Sequence, residues 1–239
     1  MKIHAHILAY NEEKLLPFTL DYYSTFCEKI FMYDNMSTDN SDDIYKKYPK
    51  VEVIKWSSNN EINELNYCKI KSNSYKDLSK DADWVISCDC DEFLYHPNLI
   101  EILSGYDENG ITLPKINGYE MFSDEFPNYN GHLITEKITE GFGIVDTLCK
   151  QIIFKPTVDI NYGVGAHSNV CENCVTNETP DLKLLHYKFL NLDYVINRYQ
   201  HLQERLSDFN KQHGFGHHYN FINAINMTNK IKENKFKVI

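Results

Sequence analysis

The stretch Trp84-Val85-Ile86-Ser87-Cys88-Asp89-Cys90-Asp91-Glu92-Phe93 runs from an apolar segment directly into a cluster of acids. The apolar part reads as a buried strand, and in a strand residues i and i+2 point to the same side. Asp89 and Asp91 would then face one way and Cys90 the other. Two adjacent carboxylates at the end of a buried strand repel each other unless something positive lies between them. Mg²⁺ and Mn²⁺ are hard, prefer oxygen, and are held by one or two carboxylates plus substrate phosphates. The stretch therefore points to a metal–diphosphate site. The plainer alternative is a polar strand end that starts a turn.

Outward from this stretch, the first half alternates strand and helix signals. Residues 3–9 form an apolar run, and Leu15, Leu16, Phe18, Thr19, Tyr22, Tyr23 and Phe26 then recur at helical spacing. Residues 30–33 read as a second strand ending in Asp34-Asn35, with Ser37, Thr38, Asp39 and Ser41 offering N-caps for the next helix. Residues 51–54 read as a third strand, 61–80 as a longer helix and 84–88 as a fourth strand. Such alternation predicts an α/β fold with a mainly parallel, Rossmann-like sheet flanked by helices, and these sheets bind ligands beyond the carboxyl ends of their strands. Asn11, Asp34 and Asp89/Asp91 all fall at such ends.

The second half is less regular. Residues 111–116 and 151–154 read as strands, with an irregular stretch, 122–143, between them. Leu192, Val195, Tyr199, Leu202, Leu206 and Phe209 form a helical stripe suited to packing. Residues 229–239 are polar and are expected to fray. No linker divides the chain, so one domain over 1–239 is expected, with 1–100 as the nucleotide half and 101–239 as the acceptor half.

Bulk properties narrow the function. The formal net charge of −10 argues against a nucleic-acid binder, whose phosphate contacts need clustered Lys and Arg. No apolar run approaches the ~20 residues of a membrane span. The first residues lack a signal-peptide pattern, and the seven cysteines lie mostly in apolar segments, so a cytoplasmic location is expected. The turn Ala9-Tyr10-Asn11-Glu12 is not glycine-rich, which removes the dinucleotide and P-loop readings and disfavours a sugar nucleotidyltransferase. Asp89 and Asp91 are too close in sequence for the flanking carboxylates of a glycoside hydrolase.

Three motifs in order, Ala9-Tyr10-Asn11-Glu12-Glu13, Tyr33-Asp34-Asn35-Met36-Ser37-Thr38-Asp39 and Asp89-Cys90-Asp91-Glu92-Phe93, together resemble the nucleotide-sugar half of a family 2-like glycosyltransferase with a GT-A fold. The resemblance covers residues 1–100 and thins afterwards. It implies a metal-dependent, inverting transferase that moves a sugar from a nucleotide-diphosphate sugar, with UDP as the default, to a glycan or other hydroxyl acceptor. It implies that Tyr10, Asn11 and Glu12 line the nucleotide pocket, that Asp34, with Asn35, contacts base or ribose, that Asp89 serves the ribose or a metal water, and that Asp91 ligates Mn²⁺ or Mg²⁺.

The second half would supply the rest. His186, in Leu184-Leu185-His186-Tyr187-Lys188, resembles the late histidine that completes a metal shell or clamps a diphosphate; His167, in a glycine-rich turn, is expected nearer the donor sugar or acceptor. Lys188 could neutralise phosphate. Asp146, with Asp124 or Glu125 as alternatives, is the expected general base, and Lys150 a partner for it or for phosphate. His167, Cys171 and Cys174 are weighed as a zinc site and found short of ligands; a disulfide or plain thiols fits them better. His213, His217 and His218 read as acceptor-site or surface residues. The competing functions are a non-catalytic nucleotide-sugar or glycan-binding module and another metal-dependent phosphotransfer or hydrolytic enzyme.

Overall fold

β1 (Ile3–Ala9), α1 (Leu16–Ser24), β2 (Lys29–Asp34), α2 (Ser41–Tyr45), β3 (Val51–Lys55), α3 (Glu64–Asn73), α4 (Tyr75–Leu78) and β4 (Trp84–Asp89) follow one another along the first half. They are described in a computed structural model of residues 1–239. β3, β2, β1 and β4 lie side by side in that order, all parallel, and β8 (Ile153–Phe154) adds an antiparallel edge next to β4. The chain winds outward on both sides of β1, so the crevice between the carboxyl ends of β1 and β4 is the switch point at which such sheets bind ligands.

Two short elements, β5 (Glu92–Tyr95) and α5 (Leu99–Glu108), carry the chain to a second sheet. That sheet is built from β6 (Ile116–Phe122), β7 (Glu140–Gly143), β11 (Leu182–Phe189) and β12 (Phe236–Lys237), in the order β12-β7-β6-β11-β5. α6 (Ile134–Lys137) precedes β7, and β9 (Ile160–Tyr162) pairs with β10 (Asn169–Cys171) in a small ribbon. The chain closes with α7 (Leu192–Glu204), α8 (Asp208–Gln212) and α9 (Phe221–Asn234). The mixed, helix-flanked α/β architecture expected from the sequence is the one observed. Asp89 ends a strand of the first sheet and Glu92 begins one of the second, so Cys90 and Asp91 form the joint between them.

Several boundaries differ from expectation. The strand placed at 111–116 begins instead at Ile116, because Pro114 has no amide to donate to a ladder. The single helix over 61–80 is two, α3 and α4, meeting at Ser74. Asn40 is the N-cap of α2 and makes no side-chain capping bond; of the four residues proposed, Asp39 accepts from the Ser41 amide at 3.0 Å. The irregular stretch 122–143 contains α6 and β7. The polar tail is ordered: α9 reaches Asn234, β12 pairs with β7, and Val238 is buried.

β1 is buried along its whole length, His4 and His6 included. The His6 ring stacks on Phe31 and hydrogen-bonds the Tyr33 hydroxyl at 3.2 Å and Ser79 Oγ at 2.7 Å. Burial, and then the field of His4, pushes the His6 pKa down to about 3. An unfolded histidine titrates near 6.5, so the folded state holds fewer protons between these values. The stability carried by neutral His6 is complete above about pH 6.5 and is lost as pH falls toward 3, at up to ~1.4 kcal/mol per pH unit. Urea unfolding at pH 7 and pH 5 is expected to differ by about 2 kcal/mol from this residue. NMR titration of the ring checks the source: protonation near pH 6 in the folded protein would refute it.

Candidate active site

A cleft of about 1390 Å³ opens at the carboxyl ends of β1, β2 and β4 and extends between α3, β11 and α7. Asp91 sits at its centre, 4% exposed. One of its oxygens, Oδ2, accepts hydrogen bonds from Arg198 Nη2 at 2.9 Å and His186 Nε2 at 3.2 Å. Burial alone would raise the Asp91 pKa; Arg198 and His186 overcome it and hold the carboxyl well below the usual range. Arg198 also donates to Glu12 and to the Tyr194 hydroxyl, each at 2.9 Å. This ties the turn after β1 to the middle of α7. Burial still raises the Glu12 pKa to about 7.

His186 faces Glu92 and Glu120 across the neighbouring strands. Its Nδ1 donates to Glu120 Oε2 at 2.8 Å. Burial opposes its charge, but Glu120 and Asp91 raise its pKa to about 10. With one ring nitrogen on Glu120 and the other on Asp91, His186 holds Asp91 in place in this structure. Asp89, half-buried, pairs with Lys71 at 2.9 Å. Its backbone amide donates to Glu92, whose other oxygen accepts from Lys150 at 2.6 Å. Burial disfavours charge on all three of Lys71, Lys150 and Glu92, yet Asp89 and Glu92 raise the Lys71 pKa, Glu92 raises that of Lys150, and the two lysines lower that of Glu92.

The nucleotide-half residues divide into two groups. Tyr10, Asn11, Glu12, Asn35 and Asp89 line the cleft. The Tyr10 hydroxyl donates to Asn60 at 2.9 Å, and the Arg205 guanidinium lies 3.3 Å from its ring centre. Asn11, at φ 52°, binds the Thr38 amide at 2.7 Å and so joins the turns after β1 and β2. Asn35 is buried and bonded to Ser58 through both ends of its amide. Asp34 does not reach the cleft: it is fully buried and accepts from the Ser37 amide, the Tyr45 hydroxyl and Lys55. Its role is to fix the turn that positions Asn35.

The proposed bases are also displaced. Asp146 is exposed and points away from the cleft, although Val145, Thr147 and Leu148 line it. Asp124 is exposed, pairs with Lys232 at 2.5 Å and lines a separate recess of about 150 Å³; Glu125 is exposed outside the cleft as well. His167 does line the cleft, donating Nδ1 to the Thr147 carbonyl at 2.6 Å. Gly165 is needed beside it, since a Cβ there would meet the His167 ring at 2.5 Å. Cys171 and Cys174 are joined as a disulfide, and His213 stays outside the cleft while His217 and His218 line it.

Glu64 escaped the sequence reading. It opens α3, lines the cleft, and accepts from the Gly165 amide at 3.2 Å. Glu12, Asp89, Asp91, Glu92 and Glu120 each carry a cation on the carboxylate; Glu64 carries none. Burial, and then the field of Asp89, raises its pKa. Arg198 was missed too, though a signal existed: Arg198 and Arg205 are the only arginines of the chain, spaced seven apart and so on one face of a helix.

No three His, Cys, Asp or Glu side chains converge to hold a metal ion by themselves. The donor chemistry nevertheless fits one delivered with a diphosphate. Asp91 Oδ1 and Asp89 Oδ2 accept no hydrogen bond and form no ion pair, and two hard oxygens lining one cleft suit Mg²⁺ or Mn²⁺.

No family model matches the chain, and no curated protein matches its sequence. Solved structures similar to it include S. aureus TarS 1–349 in complex with UDP, at 14% identity and TM-score 0.49, over 86% of this chain and 65% of that one. The complex of the same fragment with UDP-GlcNAc matches at 12% identity and TM-score 0.48, over 86% and 66%. A further TarS structure matches at 13% identity and TM-score 0.47, over 84% and 38%. The chain thus spans between 38% and 66% of the length of these structures. No helix is long and apolar enough to cross a membrane.

Proposed function

We propose that the chain is a GT-A-type glycosyltransferase that takes a sugar from a nucleotide-diphosphate sugar, UDP by default, and passes it to a hydroxyl of a glycan or other acceptor. The observation that supports this best is the convergence of Tyr10, Asn11, Glu12, Asn35, Asp89 and Asp91 on one cleft at the switch point of the first sheet. In this reading the nucleoside occupies the Tyr10–Asn35 end and the diphosphate lies over Asp89 and Asp91. A bound Mn²⁺ or Mg²⁺, held by Asp91 and reached by Asp89, would supply Lewis-acid stabilisation of the departing diphosphate.

The chain's own residues account for the remaining steps. Arg198 and His186 fix Asp91, and Lys71 fixes Asp89, so the acids need not reorganise when the donor arrives. The acceptor oxygen bonds to the anomeric carbon as the bond from that carbon to the phosphate oxygen breaks. The hydroxyl proton goes to a carboxylate, and the electron pair leaves with the nucleoside diphosphate. We assign that carboxylate to Glu64, which lines the cleft, carries no cation and accepts from the Gly165 amide. A base opposite the leaving group implies inversion.

Calorimetric titration with UDP and Mn²⁺, followed by hydrolysis assays over a panel of sugar nucleotides, tests the reading. Micromolar UDP binding and slow release of UDP from one donor are expected. Tight binding with no turnover of any donor would replace it with a non-catalytic nucleotide-sugar module. Turnover of unrelated phosphate esters would replace it with a phosphotransfer or hydrolytic enzyme.

A further inference from the structure

Four cations around Asp89 and Asp91 are paired: Lys71, Lys150, His186 and Arg198 each sit on a carboxylate. Lys188 and Lys230 line the same cleft and sit on none. Lys188 follows His186 by two residues on β11, and its ammonium lies over the rings of Tyr199 at 4.7 Å and Tyr219 at 5.2 Å. Lys230, on α9, lies over Phe142 at 5.2 Å. Tyr199, Tyr219 and Phe142 belong to one apolar cluster, so both ammonium groups rest on the same aromatic surface.

A cation over a ring is held in place without being neutralised. The charge of both lysines therefore remains available to a ligand. His218 packs against Tyr219 at 4.2 Å, but burial, and then Lys188, pushes its pKa down to about 4, so the positive charge at this end belongs to the lysines. Every residue of this surface comes from the second half of the chain. The chain as a whole carries −10, which repels acids at long range; a local, unpaired cation is what would retain one.

We propose that this end of the cleft is an acceptor subsite for an anionic saccharide, with Tyr199 and Tyr219 taking the apolar face of a sugar ring and Lys188, seconded by Lys230, taking its carboxylate or phosphate. The word acceptor rests on the glycosyltransferase reading; the anion site itself does not.

The test titrates the full chain by NMR, without nucleotide, with cellobiose, with the matching disaccharide ending in glucuronic acid, and with a phosphorylated cellobiose. At least one acidic saccharide is expected to bind tenfold or more tightly than cellobiose, and which one does so separates carboxylate from phosphate recognition. Lys188→Gln should erase the preference and Lys188→Arg should keep it, with circular-dichroism melts confirming that both fold. Acidic and neutral saccharides that bind alike, or not at all, overturn the proposal. So does a preference that survives in the Lys188→Gln, Lys230→Gln double variant. A parallel UDP titration separates the two readings: if UDP fails to bind the wild-type chain, only the nucleotide assignment falls, because the saccharide titrations contain none.

Discussion

Asp91→Asn is expected to weaken UDP binding in the presence of Mn²⁺ by about a hundredfold, ~2.7 kcal/mol, with the fold retained. Asparagine keeps the volume of the side chain and removes the charge that a divalent ion would need. Removing one partner of a buried ion pair usually costs roughly 3–5 kcal/mol, because the other charge is left alone. Here Arg198 keeps Glu12 and His186 keeps Glu120. The stability loss should therefore be smaller, about 1–2 kcal/mol, or a few degrees in Tm for a chain of this size. Calorimetry separates the roles. If Asp91 holds the ion, wild type and variant should converge when the metal is chelated. Equal affinities with Mn²⁺ present would refute the assignment. A loss of the same size with and without metal would make Asp91 an anchor for Arg198 instead.

Local pattern was enough to read the first half, because β1 to β4 are short apolar runs separated by helices whose buried faces recur at helical spacing. The ends of those strands are legible for the same reason, and with them Asn11, Asp89 and Asp91, whereas Tyr10, Glu12 and Asn35 enter through the family resemblance. Direction was not legible. Asp34 and Asn35 are adjacent at the end of β2, yet only Asn35 turns to the cleft, since Tyr45 and Lys55 capture Asp34. Partners were less legible still. Glu12 and Arg198 are 186 residues apart, and His186 and Asp91 95 apart. Sequence spacing cannot register such pairs: α7 brings Arg198 to Glu12, and the pairing of β11 with β5 brings His186 to Asp91. The base fails on the same ground: Asp146 was chosen for its place before a strand, whereas its side chain is exposed and the groups flanking it face inward.

Glu64→Gln is expected to lower turnover of the sugar nucleotide by roughly 10²–10⁴-fold, the range for loss of a positioned general base, or ~3–5 kcal/mol of barrier. Geometry favours this residue over Glu12, Asp89, Asp91, Glu92 and Glu120. Those acids are each already occupied by a guanidinium, ammonium or imidazolium partner. Glu64 receives only one backbone hydrogen bond, and its desolvation makes it more basic. Glu64 lines the same cleft as Asp89, Lys188 and Tyr219. A base must stand there if the acceptor hydroxyl is to approach from the Lys188 side. Glutamine retains the acceptor for the Gly165 amide, so the loop that carries His167 should stay in place and donor KM should change less than threefold. Donor hydrolysis gives the readout before any acceptor is known, since water must also surrender a proton to attack. Full hydrolysis and transfer rates in Glu64→Gln would refute the assignment and leave Glu120 to be tested next. A fall in kcat with a large rise in donor KM would instead mark Glu64 as a support for the Gly163–His167 turn.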